Sequence, residues 1–160
     1  MGDAGAFEDF YLSCRDRLVT HVAALTGDPA EAADHVQEGF LRAWERWERI
    51  SRYEDPEGWV RRVSYHRAIG RWRRARRLVR WPGAAGGGIQ WDSDQLAVID
   101  GLRALPRRER EAIVLHHVVG LSVREVAAEM GVPEGTVKSW LSRGRARLGA
   151  ALAAAEPQEA

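Results

Sequence analysis

The sequence predicts an all-α protein. Apolar residues recur at intervals of three and four in almost every patterned segment. No run alternates apolar and polar residues as a half-buried strand would, and no hairpin dipeptide stands between apolar runs. Each helical stretch is also punctuated by glycine, proline or an oxygen-bearing cap. With 160 residues the chain has room for one ordinary domain or two small ones. Small domains bury a lower fraction of their surface, so partners are expected to contribute to stability.

The first helix is expected through FEDFYLSCRDRLVTHVAALT, stopping at Gly27. Asp28 and Pro29 then open the second as N-cap and first helical residue. There Val36, Phe40, Trp44 and Trp47 fall at intervals that stack them on one inward face, opposite a charged one. Asp55-Pro56-Glu57 repeats the start signal and launches an arginine-rich helix. VRWPGAAGGGIQWDSD breaks all periodicity, so residues 79–97 read as a flexible linker. Beyond it, GLRALPRREREAIVLHHVVG, LSVREVAAEMG and VPEGTVKSWLSRGRARLGAALAAA read as three helices of a small bundle. The final AAAEPQEA reads as frayed helix ending in disorder.

Charge is zoned along the chain although the net value is only +1. Residues 1–60 hold 13 acids against 6 arginines, whereas residues 61–80 hold 9 arginines and no acid. A charge run is usually a solvated face, and arginine stems also cover apolar surface. So many uncompensated cations in twenty residues would repel one another, which favours an external polyanion. Trp59, Tyr65 and Trp72 are interleaved with them. Trp59 and Trp72 read as packing residues before base-stacking platforms, although aromatic rings do receive unstacked bases.

SVREVAAEMGVPEGTVKSWL has the punctuation of a helix-turn-helix. Ser122 and Glu125 have capping-box spacing, Val123, Val126, Ala127 and Met130 face inward, and Gly131 supplies the turn. Pro133 starts the second helix, whose Val137, Leu141 and Leu148 point to the core, leaving a basic outer face. In the major groove Glu134 is suited to accept from cytosine N4, Lys138 and Arg143 to meet guanine or phosphate, and Thr136 and Ser139 to meet backbone oxygens. An ordinary helical hairpin with a solvated basic face is the competing account.

AADHVQEGFLRAW, WVRRVSYHRAIGRWRRARR, a linker and REREAIVLHHVVGLSVREVAAEMGVPEGTVKSWLSRGRARL occur in that order. Together they resemble the two-domain extracytoplasmic-function sigma factors of the sigma-70 class, over about residues 6 to 150. The resemblance implies a sigma region 2-like domain over residues 6–78, the linker 79–97, a sigma region 4-like helix-turn-helix domain over 98–152 and a disordered tail 153–160. It implies docking on the clamp helices of the largest subunit of bacterial RNA polymerase core by Asp34, Gln37, Glu38 and Leu41, and a further contact with the polymerase flap. Tyr53, Asp55, Arg61, Arg62, Tyr65, His66, Arg73 and Arg74 would then hold the minus-ten element of promoter DNA. Glu134, Thr136, Lys138, Ser139 and Arg143 would read the minus-thirty-five element, with Trp81, Asp92 and Asp94 in the RNA-exit path. The chain departs from the family pattern at His66 (usually asparagine), Gly70 (often aspartate), Trp140 (commonly arginine) and Gly144 (commonly alanine), the last loosening the helix by up to ~1 kcal/mol. An anti-sigma factor is a further implied partner.

Enzyme chemistry finds little support. His116 and His117 point about 100° apart on a helix and do not converge as an i, i+4 metal pair would. GAAGGG precedes no lysine and opens no helix, so it is no phosphate cradle. No cofactor or metal is expected. The single cysteine, Cys14, excludes an intramolecular disulfide, and neither a signal peptide nor a membrane span is legible, so a cytoplasmic protein is expected. The alternative to a sigma factor is a self-sufficient helix-turn-helix repressor, which would bind a two-fold symmetric site.

Overall fold

The computed structural model describes residues 3–75 and 89–156, with the side chains of 71–75 excepted. Helices supply all the regular secondary structure among the described residues. The chain divides into two compact units, Met1–Gln90 and Trp91–Ala160.

In the first unit α1 spans Ala4–Thr26. It starts ahead of the expected phenylalanine because Asp3 accepts from the Gly5 and Ala6 amides. Gly27, at φ 71°, closes it by donating to the Ala23 carbonyl, a left-handed cap that glycine adopts without Cβ strain. α2 spans Pro29–Glu45 behind the Asp28 cap. The helix stops there, and Trp47 sits instead in a separate short turn, α3 (Trp47–Ile50), because Arg46 leaves helical geometry at φ −124°. α4 spans Pro56–Ala75, and Asp55 Oδ1 accepts from the Gly58 amide at its start.

α1, α2 and α4 pack against one another. Leu18, Val22, Leu25, Val36, Phe40, Ile50 and Val60 are fully buried between them. Each such side chain contributes about 1.5–3 kcal/mol relative to exposure. At one end Phe7, Phe10 and Trp47 interlock, with Phe10 stacked on Trp47 at 5.0 Å and Phe7 edge-on to Trp47 at 5.2 Å. α2 and α4 approach closely at Gly39, where a Cβ would overlap the Ser64 hydroxyl and lie 3.2 Å from Val60 Cγ1.

The second unit opens with α5 (Ser93–Arg103). Its first residues fall inside the stretch 79–97 expected to be linker, because Asp92 and Gln95 form a reciprocal capping box that starts the helix early. The next expected helix is divided at Pro106 into α5 and α6 (Arg107–Ile113), and α6 runs on into a π-helical turn, Val114–Val118. α7 spans Val123–Met130, with the predicted Ser122–Glu125 capping box formed, and ends at Gly131 with φ 67°. α8 spans Glu134–Ala155 and so continues past Leu152 into the segment expected to be tail. α8 packs against α5, α6 and α7 over Ile99, Leu102, Ile113, Val126, Val137 and Leu141, all buried. Val123, Met130 and Leu148 are half-buried. Among the described residues no helix is long and apolar enough to cross a membrane.

Candidate protein and nucleic-acid interfaces

Asp34, Gln37, Glu38 and Leu41 lie on one side of α2, as the spacing requires. Gln37 is exposed and accepts from the Tyr11 hydroxyl at 3.4 Å. Glu38 is half-buried and pairs with Arg67 of α4 at 3.3 Å. Each side chain of that pair is about one-third exposed, so solvent screens it in part and it contributes at most about 1 kcal/mol. Leu41 is 51 % exposed. Trp44, which the sequence reading turned inward, is 44 % exposed; Phe7 covers it on one side at 5.1 Å. Gln37, Leu41 and Trp44 are spaced by four and three, so the same periodicity that suggested a core position also extends the outer face.

The arginine helix is less uniform than its composition. Tyr53, Arg62 and His66 are exposed, and Tyr65 is half-buried with its ring 6.1 Å from His66. Asp55 is exposed and serves as the α4 cap; a Cβ on Gly58 would overlap its carboxylate and lie 3.2 Å from Arg62 Nη1. Arg61 is corrected: it is 4 % exposed, on the helix face that it shares with buried Ser64 and Ala68. Its charge acts on buried His21 of α1, a placement masked in the sequence by the surrounding arginines. Trp59 is half-buried, as expected of a packing residue. The side chains of Trp72, Arg73 and Arg74, and all of Trp81, lie outside the described residues.

Beside Arg61 the α1–α4 seam holds ionisable groups that sequence reasoning did not single out. Arg17 donates through Nε and Nη2 to both Glu57 oxygens at 2.7 Å, the two-point geometry that makes such pairs strong. His21 is 5 % exposed, its Nδ1 has no hydrogen-bond partner, and burial, with the Arg61 charge second, pushes its pKa down to about 4. Burial, and then Glu57, pushes the Cys14 thiol up to about 11, so it remains an inert buried thiol.

On α8, Glu134, Lys138, Ser139 and Arg143 are exposed and Thr136 is half-buried, while Val137 and Leu141 anchor the opposite side. Trp140 is half-buried. Gly144 is more than a weak helix former, because α6 crosses α8 there and a Cβ would lie 2.8 Å from Ile113 Cγ1. Two contacts escaped the sequence reading because they depend on tertiary packing. Buried Glu109 of α6 lies 3.8 Å from Arg143 Nε and 3.4 Å from Arg147 Nε. Arg145 donates to His117 Nε2 at 3.0 Å, and partial burial together with that guanidinium lowers the His117 pKa. Among the described residues no group of three or more His, Cys, Asp or Glu is placed to hold a metal ion.

Residues 10–78 match Sigma-70 region 2, and residues 95–148 match Sigma-70, region 4. The chain is 32 % identical over 154 residues to the RNA polymerase sigma-E factor of Streptomyces coelicolor, covering 92 % of this chain and 86 % of the relative. The chain belongs to the sigma-70 family. It is likewise similar to the ECF RNA polymerase sigma factor SigL of Mycobacterium tuberculosis, 35 % identical over 138 residues that cover 78 % of this chain and 76 % of that one. Among solved structures, sigma factor RpoE in complex with the anti-sigma factor NepR from Bartonella quintana superposes with a TM-score of 0.75 at 25 % identity, covering 94 % of this chain and 99 % of that chain. CnrH in complex with the cytosolic domain of CnrY gives 0.66 at 27 % identity, covering 97 % and 92 %.

As an RNA polymerase sigma factor of the extracytoplasmic-function type, the protein directs core polymerase to promoters. The region 2 match contains α2 and the described part of the arginine helix, and the region 4 match contains the α7–α8 helix-turn-helix. Each candidate surface thus lies within the matching region of the sigma factor.

Proposed function

We propose that the α2 face formed by Asp34, Gln37, Glu38, Leu41 and Trp44 docks the sigma factor on core polymerase. The observation that carries this reading is the exposure of Leu41 and Trp44 side by side in helical register with Gln37. Such a face gains about 25 cal/mol for each Å² of apolar surface covered, so a partner has a reason to sit there. Exposed Tyr53, Arg62 and His66, with Tyr65, then hold the minus-ten element as it opens. Extruding a base costs a few kcal/mol, which aromatic stacking and phosphate contacts offset. Arg61 takes no part in that contact and instead supports the surface from beneath.

The N-terminal half of α8 reads the upstream element, Lys138 and Arg143 toward guanine or phosphate and Glu134 toward cytosine. The protein works without catalysis of its own, alongside polymerase in the cytoplasm. An anti-sigma factor is its regulatory partner, a reading supported by the sigma factor RpoE of similar fold, solved in complex with the anti-sigma factor NepR. Titration against bacterial core polymerase tests the docking face. Leu41→Glu should weaken binding at least tenfold while thermal stability stays within about 0.5 kcal/mol, because the side chain is half exposed. Equal affinity of variant and parent would remove α2 from the docking surface.

A further inference from the structure

We propose that Glu109 is a positioning residue for promoter reading: from the α6–α8 seam it holds Arg143 and Arg147 side by side, with their outer donors turned toward the base edges of the upstream element. The inference rests on α8 being the helix that meets promoter DNA. Glu109 is 4 % exposed, and its Cβ lies 3.5 Å from the place a Cβ on Gly144 would occupy, so the carboxyl is set behind α8. Its two oxygens divide between two cations, Oε1 at 3.8 Å from Arg143 Nε and Oε2 at 3.4 Å from Arg147 Nε. Both contacts are made through Nε, as is the 3.4 Å hydrogen bond from Arg143 to the Ser139 carbonyl. The arginine side chains are nevertheless 58 % and 56 % exposed. A guanidinium carries five N–H donors in a rigid fork; anchoring Nε fixes the plane in which the Nη donors lie.

Two features favour positioning over stabilisation. Glu109 Oε2 is buried without a hydrogen bond, and a buried carboxylate with incomplete hydrogen bonding is a poor source of stability. Arg143 and Arg147 are also like charges one helical turn apart, which repel until an acid stands between them. The acid that does so is buried in the seam behind the two exposed arginines.

Charge alone makes the opposite prediction. Removing an acid close to a DNA-binding face should raise affinity for a polyanion, whereas removing a positioning acid should lower it. The test uses the full chain in complex with core polymerase and a promoter fragment selected by run-off transcription, with a second fragment whose upstream element is scrambled. The readout is the ratio of affinities for the two fragments. Glu109→Gln should reduce that ratio by about 3- to 10-fold, and should have no further effect in an Arg143→Ala, Arg147→Ala background. Arg147→Lys keeps the charge, lacks the fork and leaves the seam intact; it should reduce the ratio similarly, which keeps the proposal testable if the glutamine unsettles the fold. An unchanged or raised ratio for both Glu109→Gln and Arg147→Lys, with Arg143→Ala lowering it, would overturn the role of Glu109 alone. No effect of Arg143→Ala would overturn the reading of α8 on which it rests.

Discussion

His21 is a buried base whose protonation opposes folding. Its ordinary pKa of 6.5 falls to about 4 in the folded chain through burial and the Arg61 charge, so between these values the unfolded state binds the extra proton. The associated stability is complete above about pH 6.5 and is lost as pH falls toward 4. Between pH 7 and pH 4.5 this amounts to about 2–3 kcal/mol. Urea unfolding of the parent and of His21→Leu at both pH values measures it; the parent should lose more stability than the variant on acidification, and equal losses would contradict the assignment. Neighbouring arginines separate in the same way. Arg61→Ala should cost about 2 kcal/mol of stability through the packing lost when its buried stem is removed. Arg62→Ala should leave the urea midpoint nearly unchanged and weaken minus-ten DNA binding, with a shallower salt dependence.

Close helix crossings at Gly39 and Gly144 set where the binding helices lie. At Gly144 an added methyl gains up to about 1 kcal/mol of helix propensity but meets Ile113 Cγ1 at 2.8 Å, and overpacking of that kind costs about 1–3 kcal/mol. Gly149, on the same helix, has nothing within 4 Å of an added Cβ. Gly149→Ala should therefore raise the urea midpoint and Gly144→Ala lower it; stabilisation by both would contradict the crossing. The capped starts at Asp28, Asp55 and Ser122 and the glycine stops at Gly27 and Gly131 were legible because a cap is local chemistry. The break at Arg46 was not, since Trp47 keeps helical spacing across it. Neither was the π turn at Val114–Val118, whose i+5 bond from Val119 to Val114 has no residue signature. The burial of Arg61 and the meeting of Glu109 with α8 depend on which helices pack together, information that periodicity along one helix lacks.

The two compact units account for a charge distribution that a single folded body would have no evident reason to keep. The first unit bears the acidic N-terminal stretch, with α2 in it, and the arginine helix; the second bears the basic face of α8. The family matches at residues 10–78 and 95–148 fall on either side of the glycine-rich stretch. An initiation factor needs such a division, with one surface for polymerase and others for two separate promoter elements. Run-off transcription from genomic promoter fragments, with bacterial core polymerase in the presence and absence of the chain, tests this most directly. Start sites that appear only when both are present, and that are lost with Leu41→Glu, are the predicted result. No new start sites, together with binding of the chain alone to a palindromic duplex, would contradict the account and indicate a repressor.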